Sequence, residues 1–134
     1  MIIKFQNSSK GFDDWQGTSP NGFNNQLTSI NGKNDYLIKP MIRLVKIWNA
    51  KNGYIYPTFE LEKMLLTVPD YMWFSVEKQL KDYFFTAVLN LEPSLLPNYK
   101  ANQVNKAQSI IQTVKRYEKQ GFISLAVDHI SHLF

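Results

Sequence analysis

Apolar and polar positions alternate at helical spacing through most of the chain after residue 35. In residues 36–51, Leu37, Met41, Leu44 and Trp48 recur at +4, +3 and +4 and draw one apolar stripe. Ile38, Ile42 and Val45 widen that stripe, so the pattern predicts a mostly buried helix. Lys39, Arg43 and Lys46 recur at +4 and +3 and line a separate, narrow basic stripe. Asp35 is the expected N-cap. Pro40 then lies just beyond the first turn, so either the start is distorted or the helix begins at Pro40. Asn52-Gly53 ends it.

A second helix is predicted over 57–68. Pro57 suits a first helical turn, Thr58 or Tyr56 serves as its cap, and Glu60 and Glu62 favour the positive end of the helix dipole. Pro69 ends it. A third helix follows from a Ser75 cap, with Val76, Leu80, Tyr83, Phe84, Ala87, Val88 and Leu91 on one face. Glu92–Pro97 is a connecting loop. A fourth helix is predicted over about 101–120, with Val104, Ala107, Ile111 and Val114 inward and Gly121 as its stop. Residues 122–134 supply a fifth, with Ala126, Ile130 and Leu133 on one face. Residues 6–34 are rich in Asn, Ser, Gly and Asp, which favour turns, with a short strand at Ile2–Phe5 and a short helix from Asn21 to Ile30. The expected fold is all-α: a bundle of about five helices, residues 35–134, behind an irregular lead-in, residues 1–34.

Length and composition narrow the classes. The 134 residues suit one domain with a real hydrophobic core. The absence of cysteine removes disulfides, thiolate metal sites and thiol catalysis. Apolar runs extend over a handful of residues, against about 20 for a membrane span. The start, Met1-Ile-Ile-Lys-Phe-Gln6, lacks the apolar core and cleavage site of a secretory signal, so the expected location is cytoplasmic, with no membrane partner. Net charge is +4. Residues 33–51 hold five of the basic residues against Asp35 alone, so that segment carries a net +4 and the remainder sums to zero.

Most catalytic signatures are missing. There is no Walker-type loop, no G-x-G-x-x-G and no His-Glu-x-x-His. No Arg is followed four to six residues later by a His, the signature of helical HEPN-type ribonucleases. His129 and His132 are three residues apart, and two imidazoles alone make a weak metal site. Asp13-Asp14 is the only adjacent acidic pair, and neighbouring residues of a strand point to opposite faces, so a turn or capping role is expected there. No residue is read as catalytic or metal-binding.

Two segments carry a family resemblance. Leu37-Ile-Lys-Pro-Met-Ile-Arg-Leu-Val-Lys46-Ile-Trp48-Asn49, followed by Tyr56-Pro-Thr-Phe-Glu-Leu-Glu62, resembles the helical substrate-binding half of template-independent nucleotidyltransferases. These are the oligoadenylate synthetase and poly(A) polymerase superfamily, and in particular the bacterial CD-NTases related to cyclic GMP–AMP synthase and to antiviral defence. Trp15-Gln-Gly-Thr-Ser-Pro20 and the tail with Tyr117, Gly121, Ala126 and Leu133-Phe134 are similar to the flanking parts of that family, so the likeness covers roughly residues 12–134.

The resemblance implies a nucleotide-binding domain. Lys46 takes the place of a lysine on the nucleoside triphosphate, ATP or GTP; Thr58 that of a hydroxyl bonding phosphate; Phe59 that of an aromatic stacking on the base. Elementary chemistry agrees with each: an ammonium neutralises phosphate, a helix N-terminus favours anions and an aromatic face stacks on a base. Lys39 and Arg43 share the stripe without matching a family contact. The same residues also read blandly, as a solvated lysine, a cap and a core ring. The family's catalytic half carries a Gly-Ser helix start and Asp pairs that hold two magnesium ions, and neither motif occurs here. The chain is thus expected to be the C-terminal part of a nucleotidyltransferase, partnered by a missing N-terminal catalytic domain, inactive alone, with magnesium needed only by that domain. The alternative is a helical interaction module that binds RNA or an acidic protein through its basic face.

Overall fold

The computed structural model describes the backbone of residues 20–74 and 79–134 and the side chains of 22–73 and 79–134. The expected strand at Ile2–Phe5, the Asp13-Asp14 pair, Trp15 and the Ser75 cap with Val76 lie outside the described residues. Seven α-helices occur among the described residues: α1 (Pro20–Lys33), α2 (Ile38–Lys51), α3 (Thr58–Leu66), α4 (Asp70–Phe74), α5 (Leu80–Leu89), α6 (Asn98–Lys119) and α7 (Ile123–Ile130), followed by a 3₁₀ turn at Ser131–Leu133. The fold class is all-α. Two compact units are present, Met1–Ile38 and Lys39–Phe134.

In the first unit, α1 is longer than the short helix expected over Asn21–Ile30. Phe23, Leu27 and Ile30 recur at +4 and +3 and are half-buried. The helix ends in a Schellman motif: the Tyr36 N–H donates to the Asn31 carbonyl at 2.8 Å. Asp35 holds the left-handed position at φ 55°, normally a glycine's. It therefore closes α1 and does not cap α2.

The second unit contains most of the hydrophobic core. α2 begins at Ile38, which puts Pro40 third in the helix, where a missing N–H loses no bond. Its fully buried residues are Ile38, Met41, Val45, Trp48 and Asn49, with Ile42 close behind, while Leu37 and Leu44 are half-buried. The buried face is thus rotated by about one residue from the stripe read in sequence. Asn52 and Gly53 close α2 as expected, through Tyr54 N–H to Asn49 O at 2.8 Å and Gly53 N–H to Ala50 O at 3.1 Å. Gly53 has φ +78°, and its absent Cβ would meet nothing within 4 Å. Its role is therefore conformational, and no neighbour needs the space.

The predicted 57–68 helix is α3, and past Pro69 the one-turn α4 follows, which was not expected and is too short for periodicity to reveal. Pro57 is the N-cap residue of α3 and no side chain caps it, so the expected cap from Thr58 or Tyr56 is absent. α5 is buried at Tyr83, Phe84, Phe85, Ala87 and Val88, more than one stripe of its circumference. The cause is neighbours on several sides. α4 and α6 both pack on it, and Trp73 stacks on Tyr83 with ring centroids 5.5 Å apart. Lys81 of α5 also meets Glu118 of α6 at 2.6 Å. Gln108 of α6 donates to the Val88 and Leu91 carbonyls at 3.1 and 3.0 Å, which satisfies the open C-terminal end of α5.

α6 starts at Asn98, earlier than predicted, and buries Val104, Ala107, Ile110, Ile111 and Val114. It ends in a third Schellman motif at Gly121 (φ +82°), with Phe122 N–H to Tyr117 O at 2.9 Å. α7 turns back along α6, burying Ala126 and, through the following turn, Leu133. None of the described helices is long and apolar enough to cross a membrane.

Candidate functional site

The candidate site is built on α2 and α3. Lys46 borders the buried face of α2, between Ile42 and Asn49, and its Nζ lies 2.8 Å from Glu62 Oε2 of α3. The lysine side chain is 38% exposed and the glutamate 21%, so the pair is half-desolvated and reachable from solvent. The lysine is therefore neither free nor a core residue: it is an ion-pair partner that can exchange acceptors.

Asn49 sets the distance between the two helices. It is 1% exposed, and its Nδ2 donates to the Tyr56 carbonyl at 2.8 Å while its Oδ1 accepts from the Tyr56 N–H at 3.0 Å. One side chain thus pairs both backbone groups of Tyr56, as a neighbouring strand would. Tyr56 is itself buried, and its hydroxyl donates to the Glu92 carbonyl at 3.2 Å. Burial, assisted by the nearby Glu92 charge, pushes the Tyr56 phenol up to about 12. The segment leading into α3 is therefore fixed from both sides.

This clamp positions the first turn of α3. Thr58 and Phe59 precede Glu62 by four and three residues, so all three share one side of the helix. Thr58 is exposed at the first helical position. The Phe59 ring is 44% exposed, with Lys63 Nζ 5.1 Å from its centroid. Lys63 also lies 3.5 Å from Glu60. The structure thus brings Lys46, Thr58 and Phe59 to one side of α3, around Glu62. Arg43 and Lys39 are exposed one and two turns back along α2. Among the described residues Arg43 has no ion pair of the kind that ties Lys46 to α3.

The arrangement offers an exposed ammonium, a hydroxyl, an uncapped helix N-terminus and an exposed aromatic face. These are acceptor-poor elements suited to an anion attached to a flat ring. Glu62 is the opposing charge and any anion must displace it from Lys46. Sequence reading placed Glu62 as a dipole residue and passed over Asn49. The +16 separation of Lys46 and Glu62 carries no local signal, and a single Asn in an apolar stripe is the only hint of the clamp. Among the described residues no group of three or more His, Asp or Glu side chains converges. Searches against protein-family profiles, curated proteins and solved structures find no match to this chain.

Proposed function

We propose that this chain is the nucleotide-binding helical domain of a nucleotidyltransferase. It would hold the triphosphate of ATP or GTP on Lys46 and Thr58 and the base against Phe59, for a catalytic domain on another polypeptide segment. The observation that carries this reading is the 2.8 Å Lys46–Glu62 pair, which holds the ammonium on the side of α3 that bears Thr58 and Phe59. Support also comes from the resemblance, since both partners of that pair and the Asn49 clamp lie within the two segments that resemble the family. In this reading Glu62 holds Lys46 in place until a triphosphate displaces it. Lys39 and Arg43 add long-range attraction and no direct contact. Magnesium belongs to the catalytic partner.

Calorimetric titration of ATP and GTP into the wild type, Lys46→Ala and Glu62→Gln tests this. Saturable binding is expected in the wild type and its loss in Lys46→Ala. Glu62→Gln removes the competing charge at a site near the surface, where a unit charge at contact is worth on the order of 1 kcal/mol, and is expected to tighten binding by roughly fivefold. Weaker binding in Glu62→Gln would sink the displacement step. RNA binding with a steep salt dependence, unaffected by triphosphate, would instead make the basic face a nucleic-acid surface.

A further inference from the structure

α6 carries Lys100, Lys106, Lys115, Arg116 and Lys119 against Glu118 alone, the same net +4 as residues 33–51. Glu118 is already neutralised by Lys81 at 2.6 Å. On this helix an open cleft of about 620 Å³ is lined by Lys106, Ser109, Ile110 and Thr113 of α6, with His129 of α7 and His132 of the terminal turn. We infer that this cleft binds a phosphomonoester of sugar-phosphate or mononucleotide size. The inference is independent of the reading above: Lys46 and Trp48 are two residues apart, about 200° around α2. Trp48 and Lys106 share the wall of a small recess that adjoins the cleft.

The argument is chemical. Lys106, Ser109 and Thr113 recur at +3 and +4 and form one polar row along α6. Facing them are two imidazoles with ring centroids 5.0 Å apart, crossed at 70°. His129 is further held edge-on against Tyr117, at 6.1 Å and 83°. Every polar side chain of the lining can donate to a phosphate oxygen, and no carboxylate of the described residues lines the cleft. The nearest acid of α7 is Asp128, beside His129 in sequence and exposed. Lys106 supplies the fixed positive charge. Ile110, 8% exposed, gives an apolar floor for the carbon part of the ligand. The volume lies within the 300–1,000 Å³ or so usual for small-molecule sites. The adjoining recess, of about 20 Å³ and lined in part by Asn52 and Gln103, has room for about one water.

The test uses the full chain, titrated separately with inorganic phosphate, ribose 5-phosphate, AMP and a short single-stranded RNA. Heat and the histidine ring resonances are followed. Saturation by ribose 5-phosphate or AMP is expected at a Kd on the order of 1 mM or tighter, with shifts at His129 and His132. Lys106→Ala is expected to weaken it about tenfold, as for one charge-assisted hydrogen bond. Ser109→Glu, an exposed change that puts a carboxylate into the cleft, should abolish binding, and Lys46→Ala should leave it unchanged. Absence of saturation by either ester overturns the inference. So does equal binding of inorganic phosphate, indifference to both Lys106→Ala and Ser109→Glu, loss in Lys46→Ala, or binding of RNA alone.

Discussion

Asn49 is the residue on which the candidate site most depends. Among the described residues its amide alone pairs both the Tyr56 N–H and the Tyr56 carbonyl, at 3.0 and 2.8 Å. Asn49→Leu keeps the volume and strands both groups in a buried position. At about 1–3 kcal/mol for each stranded group, the expected loss is roughly 2–5 kcal/mol by urea unfolding. A loss below about 1 kcal/mol would mean that the Asn49 bonds are not what fixes the α2–α3 connection. Tyr56 makes a second expectation, in pH. The fold favours the neutral phenol, so the folded value, about 12, lies above the ordinary tyrosine value of 10.0. Below pH 10 the phenol is neutral folded or unfolded and its stabilisation is fully present. Between pH 10 and 12 the unfolded chain ionises first and that stabilisation is lost, up to roughly 2–3 kcal/mol. Denaturant unfolding across this range should show a steeper fall in the wild type than in Tyr56→Phe. Little of this was legible in sequence. Lys46, Thr58 and Phe59 were marked by the family resemblance, but a partner sixteen residues away and a clamp made by one amide depend on how two helices meet.

Helix ends decide the element scale. Gly53 and Gly121 were legible as stops because only glycine adopts φ near +80° without strain. Asp35 was misread because aspartate is common both before helices and, less often, in the left-handed position after them. Three residues of sequence separate the two roles, and periodicity alone does not choose. The contrast yields opposite expectations. Gly121→Ala forces a Cβ into the left-handed region and should destabilise by about 1–2 kcal/mol, although no neighbour obstructs it. Asp35→Gly relieves the same strain at φ 55° and should stabilise by roughly 0.5–1 kcal/mol after the added chain entropy. Thermal melts of the two variants should move in opposite directions. A destabilised Asp35→Gly would show that the carboxylate, and not the backbone, holds that turn. The long periodic helices α2 and α6 were legible in type, and α6 also in its inward face. The one-turn α4 and the breadth of buried surface on α5 were not, since each depends on neighbours from other elements.

At the scale of the molecule, charge and length bear on activity. The net +4 first read as one basic segment is one of two: residues 33–51 and α6 each carry it, balanced by acids elsewhere. Both candidate anion sites sit on these two segments, on different sides of α2. Nucleotidyl transfer by two-metal chemistry needs carboxylates that clamp the attacking and leaving oxygens. The 134 residues hold no Asp-x-Asp or Asp-x-Glu pair, and the described side chains form no acidic or histidine cluster of three. In the proposed reading, Lys46, Thr58 and Phe59 position a nucleotide and neutralise its charge, and the acceptor hydroxyl is activated elsewhere. The expected outcome is therefore binding without turnover. Incubated with magnesium and all four nucleoside triphosphates, the chain should yield no oligonucleotide or cyclic product by chromatography, at concentrations where calorimetry shows ATP or GTP bound. Product that disappears in Lys46→Ala would place the whole reaction on this chain and overturn its reading as the binding half. Addition of a nucleotidyltransferase domain bearing the missing carboxylates should restore product only while Lys46 is intact, because a triphosphate left unheld on the helical side is not presented to the metals.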